Sequence, residues 1–179
     1  RNIITAREMV YDHNWLVPTM NGELRLEKPP LPTWIAAITE MISPDNLPLQ
    51  RAMAGFAAVM LVLFFYKFAT KLTDNRTYAL VSSLVLCTSY NIILMGRTAT
   101  WDIYCHAFMM GAIYYLYLAL RQNPCKWTYF IGAGIFMGLS FLGKGPVSFY
   151  ALLLPFVCAY ILYYRKDCLL YTSPSPRDR

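Results

Sequence analysis

The sequence is poor in charge. Only 15% of its 179 residues are Asp, Glu, Lys or Arg, against about 25% in an average soluble domain. Long stretches hold no charge at all, which argues against a water-soluble globule. A cysteine framework is missing too. The five cysteines are odd in number, scattered singly and without C-x-x-C spacing, so a small disulfide scaffold is excluded and they read as small apolar residues within or beside spans. No apolar–polar alternation is sustained, which excludes a β-barrel. Position 1 is Arg rather than Met and no signal peptide precedes it, so the chain reads as a fragment. Residues 169–179, LLYTSPSPRDR, resemble translated adapter read-through. The segment 167–179 is therefore expected to be a non-native, disordered tail.

What is present is apolar. Hydrophobic residues make up 57% of the chain and aromatics 16%, far too much for a disordered chain. The composition is that of a membrane protein. The net charge of +6 would suggest nucleic acid in a soluble protein, but the basic residues flank apolar runs and read as topology signals. Five stretches approach the ~20 residues that cross a bilayer: 49–69, 77–96, 103–120, 127–143 and 145–164. The last two are separated by Lys144 alone, and Gly143, Gly145 and Pro146 supply a turn. The expected fold is an all-α integral membrane protein, a polytopic helical bundle of about five transmembrane helices over residues 49–166. Residues 1–48 are expected to form an extracytoplasmic loop bearing two short juxtamembrane helices, 2–11 and 33–42. The second puts Trp34, Ile35, Ile38 and Ile42 on one face and would lie along the interface.

Parity places residues 1–48, the 97–102 loop and the turn at Lys144 on one side. The other side carries Lys67, Lys71, Arg76, Arg121, Lys126, Arg165 and Lys166, against Arg51, Arg97 and Lys144 in the short connections of the first, and this excess reads as cytoplasmic; adding Arg1, Arg7, Arg25 and Lys28 evens the count. Three charged signatures distant in sequence thus meet at one membrane face: Glu27-Lys28-Pro29-Pro30, Gly96-Arg97 with Asp102, and Gly143-Lys144-Gly145-Pro146. Ionisable groups beside the apolar slab are costly and are functional candidates by default. Cations beside carboxylates at headgroup depth suit a substrate with a phosphate and an apolar tail, and a carboxylate there can act as general base for an incoming hydroxyl or order it.

Each residue also has a plainer reading. Lys28 reads equally as a solvated loop charge, and Arg97 as an interface anchor. Lys144 stands in a turn that Ser or Asn would make as well, so its charge favours function. Asp102 opens a helix, where capping and the macrodipole favour it. His106, one turn later, can touch Asp102 and reads first as a packed, hydrogen-bonded histidine. Tyr114, Tyr115 and Tyr117 read as an aromatic belt.

In order along the chain stand Arg7-Glu8-Met9, Trp15-Leu16-Val17-Pro18, Asn21-Gly22, Glu27-Lys28-Pro29-Pro30-Leu31 and Trp34. This set resembles the first extracytoplasmic loop of the GT-C membrane glycosyltransferases, in the branch of the protein O-mannosyltransferases and lipid A aminoarabinose transferases (glycosyltransferase family 39). Gly96-Arg97 with Asp102, and the run from Gly138 to Pro146, resemble the family's second and third signatures. The likeness covers roughly residues 1–166.

The resemblance implies inverting transfer of a sugar from a polyprenyl-phosphate carrier to a lipid, glycan or protein acceptor, at the periplasmic face of a bacterial inner membrane, with no nucleic-acid partner. It implies that Arg1, Lys28 and Lys144 hold the carrier phosphate and that Asp102 is the second active-site carboxylate. Glu27, Arg97 and His106 are further substrate-binding candidates. No cofactor is firmly implied; some relatives bind a divalent cation near Glu27 with a nearby His, which 44–47 here lacks. The family's principal Asp-Glu pair would fall before Arg1. A transporter or flippase of lipid-linked sugars is the rival reading, but it favours midplane polar groups and internal repeats. A noncatalytic scaffold is a third, and it would not need three charged loops.

Overall fold

The computed structural model describes residues 2–25, 29–98, 100–121 and 126–164. These residues form a helical membrane bundle with a small N-terminal unit at one end. The unit comprises helix α1 (Asn2–Tyr11), a hairpin of two-residue strands β1 (Thr19–Met20) and β2 (Glu23–Leu24), and helix α2 (Leu31–Ile42). The hairpin pairs Thr19 with Leu24 and Met20 with Glu23. Asn21 and Gly22 turn it at positive φ, 57° and 78°, the Asn-Gly pattern of a tight hairpin. Helix α2 admits a Pro in its first turn, where no intrahelical N–H is lost. It buries Ala37 against Ala6 and Met9 of α1 and leaves Ile38, Met41 and Ile42 exposed. The face expected from Trp34 to Ile42 is therefore split, its far end turned outward.

A charged network ties this unit to the bundle. Glu40 is only 5% exposed. It accepts from Arg7 Nε at 3.3 Å, from Gln50 Nε2 at 3.2 Å and from the Asp45 amide at 3.2 Å; Arg7 also pairs with Asp45. A buried carboxylate persists only when bonded in this way.

The bundle consists of α3 (Leu47–Thr73), α4 (Arg76–Thr88), α5 (Tyr90–Arg97), α6 (Trp101–Arg121), α7 (Trp127–Lys144), a π-helical turn (Phe149–Leu153) and α8 (Leu154–Tyr164). Asn46 caps α3 by accepting from the Leu49 amide at 3.0 Å, and Asn75 caps α4 through the Tyr78 amide at 3.1 Å. Helix α6 is the central rod: 56% of its apolar window is buried, against 22% of that of α3. Small residues bring the two together, with Ala54, Ala57 and Leu61 packed on Ile103, Tyr104 and Ala107, as expected where lipid supplies no hydrophobic drive between helices. Lower down, Met109, Ala112 and Ile113 pack among Phe68, Phe136 and Phe156.

Five uniform spans do not emerge. Among the described residues only α3 and α6 are singly long and apolar enough to cross a membrane, and a third span requires α4 and α5 together, bent by 60°. The break at Ser89 has a local cause. Thr88 donates to the Leu84 carbonyl at 3.1 Å and Ser89 to that of Leu86 at 2.8 Å, and hydroxyls that bond back to carbonyls bend helices. Helix α7 has 18 residues, about the shortest length that spans, and its polar ends, Trp127-Thr128-Tyr129 and Lys144, dilute its apolarity. The stretch expected over 145–164 is interrupted by its π turn just before Pro155, which has no N–H to give to the ladder. The tyrosines are not a simple belt either: Tyr117 is 1% exposed, and Tyr114 and Tyr115 pack with Phe64.

Glu8 fastens α1 to the hairpin, accepting from the Asn21 amide at 2.6 Å and the Thr19 hydroxyl at 2.8 Å. These bonds, the Asn21 amide foremost, favour the charged form and hold its carboxyl below the usual carboxylate range. The anchor is therefore fully present above that range and is lost as pH falls through the lowered value. In a pH titration followed by NMR, the Asn21 amide shift should move with a midpoint below that of an ordinary Glu, and Glu8→Gln should abolish the transition. A midpoint at the ordinary Glu value would refute this.

Candidate functional site

Asp102 lies in the first turn of α6 and Lys144 is the last residue of α7. Each charge thus sits at the helix end whose dipole favours it. Lys144 Nζ donates to Asp102 Oδ1, forming an ion pair between side chains 34% and 28% exposed. The two residues are 42 positions apart in sequence, and the pair lies open on one side.

The contacts behind the pair bring Lys144 there. A Cβ on Gly143 would meet Cys105 Cα and Cβ at 3.3 Å and its amide nitrogen at 3.4 Å, so α7 approaches the backbone of α6 directly. Ser140 donates to the Cys105 carbonyl at 2.8 Å, and the Ser148 hydroxyl lies 2.7 Å from Ser140 Oγ. Because the single Ser140 proton is used on the carbonyl, Ser148 is the donor of that second bond. Cys105, Ser140 and Ser148 are all fully buried. The chain then reverses at Gly145, whose φ of 73° and ψ of −151° are open essentially to glycine alone. Helix end, hydroxyl knot and turn together fix Lys144 relative to Asp102.

His106 follows one turn after Asp102 and feels the charges of both Asp102 and Lys144. Its Nδ1 is buried and makes no hydrogen bond among the described residues, and the same holds for Thr100 Oγ1. His106 is therefore not the fully bonded structural histidine expected. Leaving a buried polar atom unpaired costs about 1–3 kcal/mol, so these two atoms give the region of Asp102 unused hydrogen-bonding capacity. The guanidinium of Arg25 lies 5.4 Å from the ring centre of Trp101 and donates to Thr5 Oγ1 at 2.8 Å, which lays the hairpin arm over the start of α6. Helix α2 also reaches α7.

Of the residues singled out in the sequence, the structure joins Asp102 and Lys144 and sets His106 beside them. Arg97 ends α5, exposed and outside the pair. Arg1, Glu27 and Lys28 lie outside the described residues. Cys105, Ser140, Ser148 and Arg25 were not anticipated as site-building residues. The Ser140–Gly143 spacing puts two small residues on one helix face, and that was the available signal. No group of three or more His, Cys, Asp or Glu converges among the described residues, and Asp102 is committed to Lys144.

A family model described as dolichyl-phosphate-mannose-protein mannosyltransferase matches residues 27–173. The chain belongs to this family. The match begins within the hairpin-to-α2 connection and takes in α2, all of the bundle helices and both residues of the ion pair. An undecaprenyl phosphate-alpha-4-amino-4-deoxy-L-arabinose arabinosyl transferase from Shewanella sediminis is 32% identical over 158 residues, 85% of this chain and 28% of its own length. The enzyme of that name from Yersinia enterocolitica is 28% identical over 156 residues, with 85% and 27% covered. A similar fold is seen in ArnT from Cupriavidus metallidurans. Its crystal structure bound to undecaprenyl phosphate matches with a TM-score of 0.80 at 17% identity, over 96% of this chain and 32% of that one. The apo structure matches at 0.75, with 18% identity and coverage of 92% and 31%. The chain spans under a third of the length of these relatives.

The close seat of α7 on α6 makes Gly143 sensitive to any side chain. Gly143→Val should destabilise the protein by about 1–3 kcal/mol and raise maleimide labelling of buried Cys105. Gly134→Val, where a Cβ meets nothing within 4 Å, should do neither. Equal thermal midpoints and equal labelling of the two variants would contradict this seat.

Proposed function

We propose that this chain forms part of a glycosyltransferase that moves a sugar from a polyprenyl-phosphate carrier to a lipid, glycan or protein acceptor. The reading rests on family membership together with the Asp102–Lys144 pair, held half-open at one end of the bundle. The names of the arabinosyl transferase relatives, and the undecaprenyl phosphate bound to the ArnT structure, support a polyprenyl-phosphate donor. The bacterial origin of the arabinosyl transferase relatives supports the inner membrane as location, and the excess of cations in the short connections of the opposite end supports a reacting end toward the periplasm.

In this reading Lys144 spends one of its three N–H donors on Asp102 and offers the others to the carrier phosphate. Lys28 and Arg1 are assigned to the same phosphate. As the glycosidic bond breaks, negative charge grows on the departing phosphate, and fixed cations stabilise it there more than in the ground state. Asp102, oriented by Lys144, accepts a hydrogen bond from the sugar or the acceptor hydroxyl. His106 Nδ1 and Thr100 Oγ1, buried and unbonded among the described residues, are assigned to the same ligands. The acceptor's proton goes to a base outside these residues. The 60° break in α4–α5 is the one trait shared with transporters. The bend itself carries no Asp, Glu, Lys, Arg or His, whereas the charge gathers at the bundle end.

The test uses membranes expressing this sequence within a chain of the relatives' length, supplied with radiolabelled polyprenyl-phosphate sugar. Covalent transfer to an acceptor is expected. Lys144→Ala and Lys28→Ala should each lower it by roughly 10²-fold or more, and Asp102→Asn by a comparable factor. Undiminished turnover in the two lysine variants would remove both from the phosphate site, and movement of label across the bilayer without transfer would identify a flippase instead.

A further inference from the structure

The seat of the N-terminal unit on the bundle encloses a small cavity. Helix α2 lines it with Ile35, Ala36 and Thr39, α3 with Gln50 and Met53, and α6 with Tyr104. The space measures about 20 Å³. That is too small for a lipid or a metabolite, whose pockets run to ~300–1,000 Å³. It exceeds the ~10–15 Å³ that one water molecule needs.

The polar groups of the wall are partly committed. Gln50 is 5% exposed, and its amide nitrogen donates to Glu40 Oε2 at 3.2 Å. Glu40 also accepts from Arg7 Nε and from the Asp45 amide. It acts as an acceptor throughout, so the Gln50 amide cannot turn its oxygen toward it. Glu40 is not part of the cavity wall, whereas Gln50 is, which leaves Gln50 Oε1 on the cavity side. That oxygen is buried and makes no hydrogen bond among the described residues. Thr39 Oγ1 spends its proton on the Ala36 carbonyl at 2.7 Å and keeps lone pairs for a further donor. Tyr104, on α6, brings a phenol that can give or take a hydrogen bond.

We infer that the cavity holds a resident water molecule, which donates to Gln50 Oε1 and links α2 to α3 and α6. A buried carbonyl oxygen left unbonded is costly, and cavities that stay dry are lined by apolar groups. A buried water makes two to four hydrogen bonds, and Gln50, Thr39 and Tyr104 supply that number of polar groups. The N-terminal unit therefore rests on the bundle through a wet seam, unlike α7, which meets the backbone of α6 directly through Gly143 and Ser140. The site does not depend on the proposed transfer reaction.

The experiment is water-selected NMR on the 179-residue chain in dioleoylphosphatidylcholine nanodiscs, with Ala and Met methyl groups labelled. Methyl protons do not exchange with solvent, so a cross-peak to water reports proximity alone. The Ala36 and Met53 methyls should show cross-peaks with the sign of a bound rather than a bulk molecule. The methyl of Ala112, 0% exposed among apolar neighbours, should show none. Ala36→Val occupies the cavity without altering Gln50 and should abolish the Met53 cross-peak. Gln50→Leu removes the acceptor and should abolish both cross-peaks, with helical content by circular dichroism unchanged. If Gln50→Leu does not fold, the wild type and Ala36→Val decide. Absence of the cross-peaks from the wild type overturns the inference. So does a bulk-water sign, a Met53 cross-peak that survives Ala36→Val, or cross-peaks that survive Gln50→Leu.

Discussion

Everything at the charged end depends on how closely α7 can approach α6. Two helices that meet through glycine and serine can bring backbones to van der Waals contact. The Lys144 ammonium then inherits a position set by main-chain atoms rather than by a flexible side-chain network. Gly143 supplies the clearance and Ser140 the directional bond to the Cys105 carbonyl. Ser148 returns the chain after the turn to the same point. An ion pair on two independently mobile helices would be worth little in a wet headgroup region. Here both partners are displayed from one rigid joint, so ordering them carries a smaller entropic cost.

The N-terminal unit applies the same logic with different chemistry. It has too few apolar residues to stand alone, and it is fastened by Glu40, which gathers bonds from α1, from the α2–α3 connection and from α3 itself. Arg25 adds a contact to Trp101 at the start of α6. The elements on either side of the Glu-Lys-Pro-Pro motif are therefore anchored. The hairpin before it is pinned through Glu8, and α2 after it is packed against α1 and the bundle.

Much of this was legible in the residues. Absence of charge marked the apolar helices, and the Asn-Gly step, the Pro-rich entry to α2 and the Gly-Lys-Gly-Pro turn marked the punctuation. Parity predicted that Asp102 and Lys144 would share an end, and they touch. The shortfalls have physical causes. Hydropathy reads a run such as 77–96 as one span because it counts apolar area, whereas Ser89 and its neighbours act on the backbone ladder, which hydropathy does not register. Pro155 is likewise only one residue in an apolar run, yet the helix before it widens to a π turn. Tyr117 was assigned to a belt by type, but its partners, Phe68 and the Lys71 carbonyl, come from a helix 46 positions away in sequence. Cys105 read as a small apolar residue because its role exists only once the two helices meet.

The bend between α4 and α5 has a consequence for the surrounding lipid. A straight span presents one hydrophobic height to its neighbours, whereas two short segments set at 60° present a tapered one. Acyl chains beside this flank must tilt or compress to cover it, at a cost of fractions of a kcal/mol per ångström of mismatch.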